Sequence, residues 1–331
     1  MQLIPDTIDL SEYSTAPQFQ AQVRPAADFA SEVKAEFSPH QKGRNRAPSM
    51  LSAKAQGRIE FRPGEITCWS GYNGHRKSMF TSQVALDLCV QKQRVLIVSL
   101  EMSPARTMAR MTRQAMGTGQ PSDHNIDRFH QWTQNRLWIF DHVGMIDGKT
   151  MQGLCRYFAQ ELQGQHVFID SMMMVCASEE HLDEQKQFVT TLCRIAQETG
   201  LHLHLVTHCR KPASGDEAKP PTKYDIKGTG SISDQAHNVI MVWANKAKKT
   251  QMEANPHDFD IGDQPDAMVS VEKQRNGDWE GKLKFWFHPG ALRFCDDRSS
   301  AVEEYVLSDQ LPTDENGSHL LGKRATDWAM S

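Results

Sequence analysis

From residue 57 onward, short apolar runs alternate with segments of helical spacing, and this alternation restricts the fold more than any other feature. The runs are EITCWS, RVLIVS, LWIFDH, HVFIDS, LHLHLVTH and NVIMVW. RVLIVSLEM is continuous and β-branched, as expected of a strand buried on both faces. Between the runs, KSMFTSQVALDLCVQK and the segments at about 103–117, 150–162 and 184–199 carry apolar residues at helical spacing. Strands and helices in this order form an α/β fold, a mostly parallel sheet with helices on both faces. Near the end, AMVSVEKQRNGDWEGKLKFWFHPGALRF alternates at period two around an NGD turn, which predicts a β-hairpin or meander.

The first run leads into CWSGYNGHRKSMF, residues 68–80. Gly71, Tyr72, Asn73, Gly74, His75, Arg76, Lys77 and Ser78 match the phosphate-binding loop G-x-x-x-x-G-K-[ST], except that Arg76 stands where the second glycine belongs. Strand, loop and helix are the setting such a loop needs, because backbone N–H groups and a helix N-terminus must converge on phosphate. Lys77 would supply charge and Ser78 would hold Mg²⁺ from a bound MgATP. The other reading is an ordinary glycine turn before a helix. Arginine fits the loop if its φ is negative, with its side chain turned outward or reaching a phosphate.

Three later strands end in side chains suited to the same site. Glu101, in SLEM, lies at the carboxyl end of its strand, where ligands of open parallel sheets collect, and can activate water. Asp170 closes HVFIDS and is placed to hold Mg²⁺ through water. His208 ends LHLHLVTH, where it can contact a terminal phosphate. Each carboxylate could instead be a helix or strand cap. His202, His204 and His208 together also leave a metal site open.

With these motifs in view, the chain resembles the C-terminal ATPase domain of DnaB-type replicative helicases. Lys77–Ser78, SLEM, FIDS, VTHCRK and KGTGSISDQAHNVIMVW carry the resemblance over about residues 57–296. Phage primase–helicases and the Twinkle helicase look especially similar, because they share a histidine at the position of His208. The resemblance implies a RecA-like P-loop NTPase fold and a homo-oligomeric ring, most often hexameric. It also implies ATP with Mg²⁺ between neighbours, and single-stranded DNA in the central channel. Lys273 and Arg275, in VEKQRNGDWEGKLKF, are similar to the pair that reaches a neighbour's ATP; the other reading is a basic surface hairpin. After IMVW, phage relatives have an arginine where this chain has Ala244.

The resemblance further implies a helicase or translocase of phage or prophage replication, without a primase domain and with a separate primase or loader as partner. A ring protein with impaired hydrolysis, acting as a scaffold or regulator, is the alternative, and a RecA-type recombinase is a third. With a net charge of −4, any hold on DNA must come from local loops. Arg210, Lys211, Lys219, Lys223 and Lys227, beside GTGS, are the candidates; lysines and backbone amides grip phosphates without reading sequence. The segment after Asp170 is acidic and offers no such argument. Seven cysteines without a C-x-x-C pair read as reduced core residues of a cytoplasmic protein. No signal peptide or membrane-length run is evident, so no membrane partner is expected. Residues 1–56 are expected as a polar, partly helical arm, 57–298 as the ATPase domain and 299–331 as a loose tail. Segments 210–223 and 247–266 are expected to be mobile loops.

Overall fold

The structure is a computed structural model that describes residues 2–14, 25–36, 47–175, 182–212, 217–228, 230–255 and 257–305. Strand β1 spans Gln2–Pro5, helix α1 Ser11–Ser14 and helix α2 Ala30–Glu36. The domain proper continues with β2 (Ile66–Ser70), α3 (Lys77–Val90), β3 (Val95–Ser99), α4 (Pro104–Met116), α5 (Asp123–Trp132) and β4 (Leu137–Asp141). Then follow α6 (Gly148–Gln160), β5 (His166–Asp170), α7 (Leu182–Thr199), β6 (His202–Val206), α8 (Ser231–Gln235) and β7 (Asn238–Ala244). Two short helices, α9 (Lys246–Ala254) and α10 (Phe259–Asp263), lead to β8 (Ala267–Gln274), β9 (Gly281–His288) and β10 (Arg293–Cys295).

All ten strands join one sheet in the order β1-β4-β3-β5-β6-β2-β7-β8-β9-β10. The first seven in that order pair in parallel, and β8, β9 and β10 run antiparallel. Successive strand residues enter opposite cores. Cys68, Leu96, Val98, Val167, Ile169, Val239 and Met241 face α6 and α7. Trp69, Val95, Ile97, Phe168, Ile240 and Val242 face α3 and α4. Because both faces are covered, the strands carry apolar residues at consecutive positions.

The expected mostly parallel, RecA-like sheet with a C-terminal hairpin is present. Local signals account for several helix starts. Asp147 caps α6 by accepting from the backbone N–H groups of Lys149 and Thr150. Pro104 opens α4 and Gly117 closes it in the left-handed region. The helix after the phosphate loop differs from a one-faced amphipathic element: α3 is buried nearly all round, from Phe80 to Val90. Residues 47–61 and 293–305 cover its outer side, with Met50, Phe61, Phe294 and Tyr305 all buried. Asp87, inside α3, accepts from the Tyr305 hydroxyl and from Leu51 N–H at 3.0 Å.

Two segments carry regular structure beyond the core of the domain. Residues 247–266 contain α9 and α10, each capped by its own side chain, Asn245 and Asp258. Residues 2–14, within the expected arm, contribute the edge strand β1 and pack Leu10 against Gly153 of α6. Among the described residues, no helix is long and apolar enough to cross a membrane.

Candidate active site

The parallel strands end on one side of the sheet, and the loops that follow β2, β3, β5 and β6 meet there. Gly71 leaves β2 so close to β7 that a Cβ would lie 2.2 Å from the Val242 carbonyl oxygen, so no other residue fits. Gly74 has φ +72, which again favours glycine. The loop then delivers Lys77 into a buried position at the start of α3, where the helix N-terminus faces the same space.

The Lys77 ammonium donates to the carbonyl oxygens of Gly71 (2.9 Å) and Tyr72 (3.0 Å) and to His208 Nδ1 (3.3 Å). Since Lys can only donate, Nδ1 of His208 is the acceptor and Nε2 carries the proton. That Nε2 lies 3.8 Å from Glu101 Oε1, which also accepts from the Ser171 hydroxyl at 2.8 Å. The neighbouring His208 imidazole is the first cause holding the Glu101 carboxyl below its ordinary value, so Glu101 is an ionised base at neutral pH. Burial lowers the Lys77 ammonium, while Asp170 and Glu101 oppose that shift.

Asp170 closes β5 beside Ser78, whose hydroxyl donates to it; burial nonetheless raises its carboxyl above the ordinary value. The peptide bond after it, Asp170–Ser171, is cis. A serine hydroxyl and a carboxylate that resists standing alone in a buried place form a hard-oxygen pair that fits Mg²⁺. The structure thus brings together Lys77, Ser78, Glu101, Asp170 and His208, as the sequence suggests. Arg110, on α4, adds a positive field at Asp170. It sits in an ordinary helical position, and nothing in the sequence marked it.

Arg76 departs from expectation. Its φ is +64, in the left-handed region, and not negative. The side chain does turn outward: the guanidinium carbon lies 3.9 Å from the Phe287 ring centroid on β9, a cation–π contact.

His75 is the loop residue whose role the sequence hid. It is buried, and its Nδ1 accepts from Ala244 N–H at 3.1 Å. Its Nε2 therefore carries the proton and donates to Glu217 Oε2 at 2.9 Å. Lys246 donates to the same carboxylate oxygen at 2.8 Å, and Trp243 Nε1 donates to the Glu217 carbonyl at 2.8 Å. Lys246 also lies 3.4 Å from the Asn73 carbonyl. Glu217 thereby clasps the loop carrying residues 210–230 to the phosphate loop. The backbone N–H of Ala244, where phage relatives have arginine, helps fix the His75 tautomer.

Lys273 and Arg275 are not near this cluster. Val239 pairs with Lys273, and Arg275 N–H donates to the His237 carbonyl, at the opposite end of β7. Met241 is level with Ser70, so Arg275 lies roughly 13 Å further down the sheet at ~3.3 Å per residue. There Lys273 donates to the carbonyls of Ser233 and Asp234 at 2.9 and 2.8 Å, and Arg275 to Asp234 at 3.0 Å. These are the last carbonyls of α8, where a helix dipole favours cations.

The candidate DNA cations gather on one loop. Arg210, Lys211 and Lys219 are exposed, and Lys223 and Lys227 partly so. Thr229 of GTGS and residues 176–181 of the acidic segment lie outside the described residues.

The open question of a histidine metal site resolves against it. His204 bonds to His166, and His202 lies beside both of these rings. His202 Nε2 contacts the Thr67 hydroxyl at 2.8 Å and its Nδ1 the Arg62 carbonyl at 2.7 Å. Trp69 donates to His204 Nδ1 at 3.2 Å, and His204 Nε2 meets His166 Nδ1 at 3.3 Å. Every ring nitrogen named here already has a hydrogen-bond partner, and no metal-binding group of His, Cys, Asp or Glu occurs among the described residues.

Two solved structures share the fold. One, an ATPase domain on its own, aligns with a TM-score of 0.66 at 14% identity, over 83% of this chain and 99% of that one. A DnaB-like replicative helicase, described with its interactions with primase, aligns with a TM-score of 0.67 at 13% identity, over 84% of this chain and 68% of that one. At such identities the likeness speaks for the fold alone. Family assignment rests on residues 51–296, which match the DnaB-like helicase C-terminal domain and show that the chain belongs to that family.

Proposed function

We propose that the chain is an ATP-driven helicase or translocase acting on single-stranded DNA in phage or prophage replication, assembled as a homo-oligomeric ring, most often hexameric. The observation that carries this is the chain of contacts Lys77–His208–Glu101–Ser171 beside the Ser78–Asp170 pair. It places a cation, an ionised base and a hard-oxygen pair around one phosphate loop. Lys77 would exchange its loop carbonyls for the phosphates of ATP. Mg²⁺, held by Ser78 and through water by Asp170, would neutralise charge on those phosphates. Both contacts to Glu101 fall on Oε1, which leaves Oε2 to take a proton from attacking water. His208, bonded to Lys77 on one side and facing Glu101 on the other, would register the terminal phosphate. Its carbonyl accepts from Lys227 N–H at 2.8 Å, which joins it to the loop proposed to hold DNA.

Lys273 and Arg275 stand too far from their own Lys77 to serve it, which supports action on a neighbour's nucleotide. The expected result is ATPase activity stimulated by single-stranded DNA. Glu101→Gln should lower turnover by about 10²- to 10⁴-fold while nucleotide still binds. No stimulated turnover in the intact protein would contradict the reading and favour the scaffold alternative, which the left-handed Arg76 in the phosphate loop recommends as second.

A further inference from the structure

Of the large apolar side chains exposed among the described residues, Tyr224 is the most exposed, at 83%. It stands on a turn built to hold still. Pro220 and Pro221 precede it, and the Thr222 N–H and hydroxyl both donate to Asp225 Oδ2, at 2.7 and 3.0 Å. Asp225 N–H donates to the Thr222 carbonyl at 3.0 Å, and the two residues' side chains and backbone N–H groups form a capping box. Ile226, next in the chain, is buried in the core and bridges to Cys209. The base of the turn is thus fixed to the sheet while the tyrosine ring faces solvent.

Its surroundings are cationic. Lys223 Nζ lies 5.6 Å from the ring centroid and is itself held by the Glu272 carbonyl at 3.3 Å. Arg210 lies alongside, its backbone N–H donating to Asp225 and its guanidinium to Gly228. Asp225, the carboxylate of the turn, is engaged in the capping box. The other exposed large apolar residues, such as Val143, Met145 and Phe259, belong to other segments. A protein-docking patch needs contiguous apolar surface. A single rigid aromatic among cations suits instead a polymer that alternates flat apolar rings with phosphates.

We infer that Tyr224 is a stacking platform for a base of single-stranded nucleic acid, with Lys223 and Arg210 on the adjoining phosphates. The inference rests on the DNA-translocase reading and adds to it a contact that senses bases. Because Lys227 N–H is bonded to the His208 carbonyl, the platform and the phosphate sensor share one short piece of backbone.

The test compares binding of the full chain, with Mg²⁺ and a non-hydrolysable ATP analogue, to an oligo-dT and to an abasic oligonucleotide of equal length. Stacking of one base is worth about 5- to 150-fold in affinity. Tyr224→Ala should lose affinity of that order for oligo-dT and none for the abasic strand, and Tyr224→Phe should retain it. Equal loss on both strands would overturn the inference and point to a contact between subunits. Unchanged oligo-dT affinity in Tyr224→Ala, with DNA-stimulated ATPase intact, would overturn the inference alone. Failure of the wild type to bind either strand would overturn both it and the translocase reading.

Discussion

Arg76 shows how a loop can lose a glycine and keep its shape. A non-glycine residue in the left-handed region costs about 1–2 kcal/mol, and a partly desolvated cation–π contact returns about 0.5–2 kcal/mol. The two nearly cancel, so Arg76→Gly should change stability by less than about 1 kcal/mol in urea denaturation. Its guanidinium is engaged on Phe287, so the affinity of a fluorescent ATP analogue should change less than about tenfold. A large gain would show that the arginine impairs the loop. The sequence revealed the missing glycine but could not give the sign of φ, because the compensating ring sits more than two hundred positions away. Glu101, Asp170 and His208 were legible for the opposite reason: each ends an apolar run, and in a parallel sheet all such ends fall on one side.

At the scale of elements, the clasp between the 210–230 loop and the phosphate loop has a measurable consequence. Glu217→Ala leaves the buried His75 Nε2–H without its acceptor, and an unsatisfied buried donor costs about 1–3 kcal/mol. Amide hydrogen exchange should therefore quicken in residues 71–78 and in the 217–228 segment; unchanged protection in both would refute the clasp. This contact was invisible in the sequence because its partners, His75, Glu217 and Lys246, are unrelated polar residues far apart in the chain. Helices α5, α9 and α10 escaped notice for another reason. They are short and polar: α5 buries only Phe129 and Trp132, and α9 and α10 expose most of their surface. The hairpin strands β8 and β9 were easy by comparison, since apolar residues recur at every second position through Ala267, Val269 and Val271 and through Leu283, Phe285 and Phe287.

For the whole molecule, the sheet's interior sets the response to acid. Burial drives His202 down to about 3 and His166 and His204 well below their ordinary value. Their folded pKa values lie beneath the unfolded one, so their stability contribution is complete above about pH 6.5 and is lost as pH falls toward the folded values. Asp87 acts in the opposite sense: burial raises it to about 6, so between pH 6 and 4 it releases a proton on unfolding. Of these four groups, three take up a proton on unfolding and one releases it, so stability falls as pH drops through that range. The urea midpoint should accordingly fall between pH 7 and pH 5; a rise would contradict the neutral histidine network. In a ring, copies of this molecule would share each site. Each subunit would bring Lys77, Glu101 and His208, and receive Lys273 and Arg275 from a neighbour. Mixing Glu101→Gln subunits, which keep the cations, with Arg275→Ala subunits, which keep the base, tests it most directly through DNA-stimulated ATPase. Activity in the mixture should lie well above the sum of the two variants alone, and activity no greater than that sum would contradict a site shared between subunits.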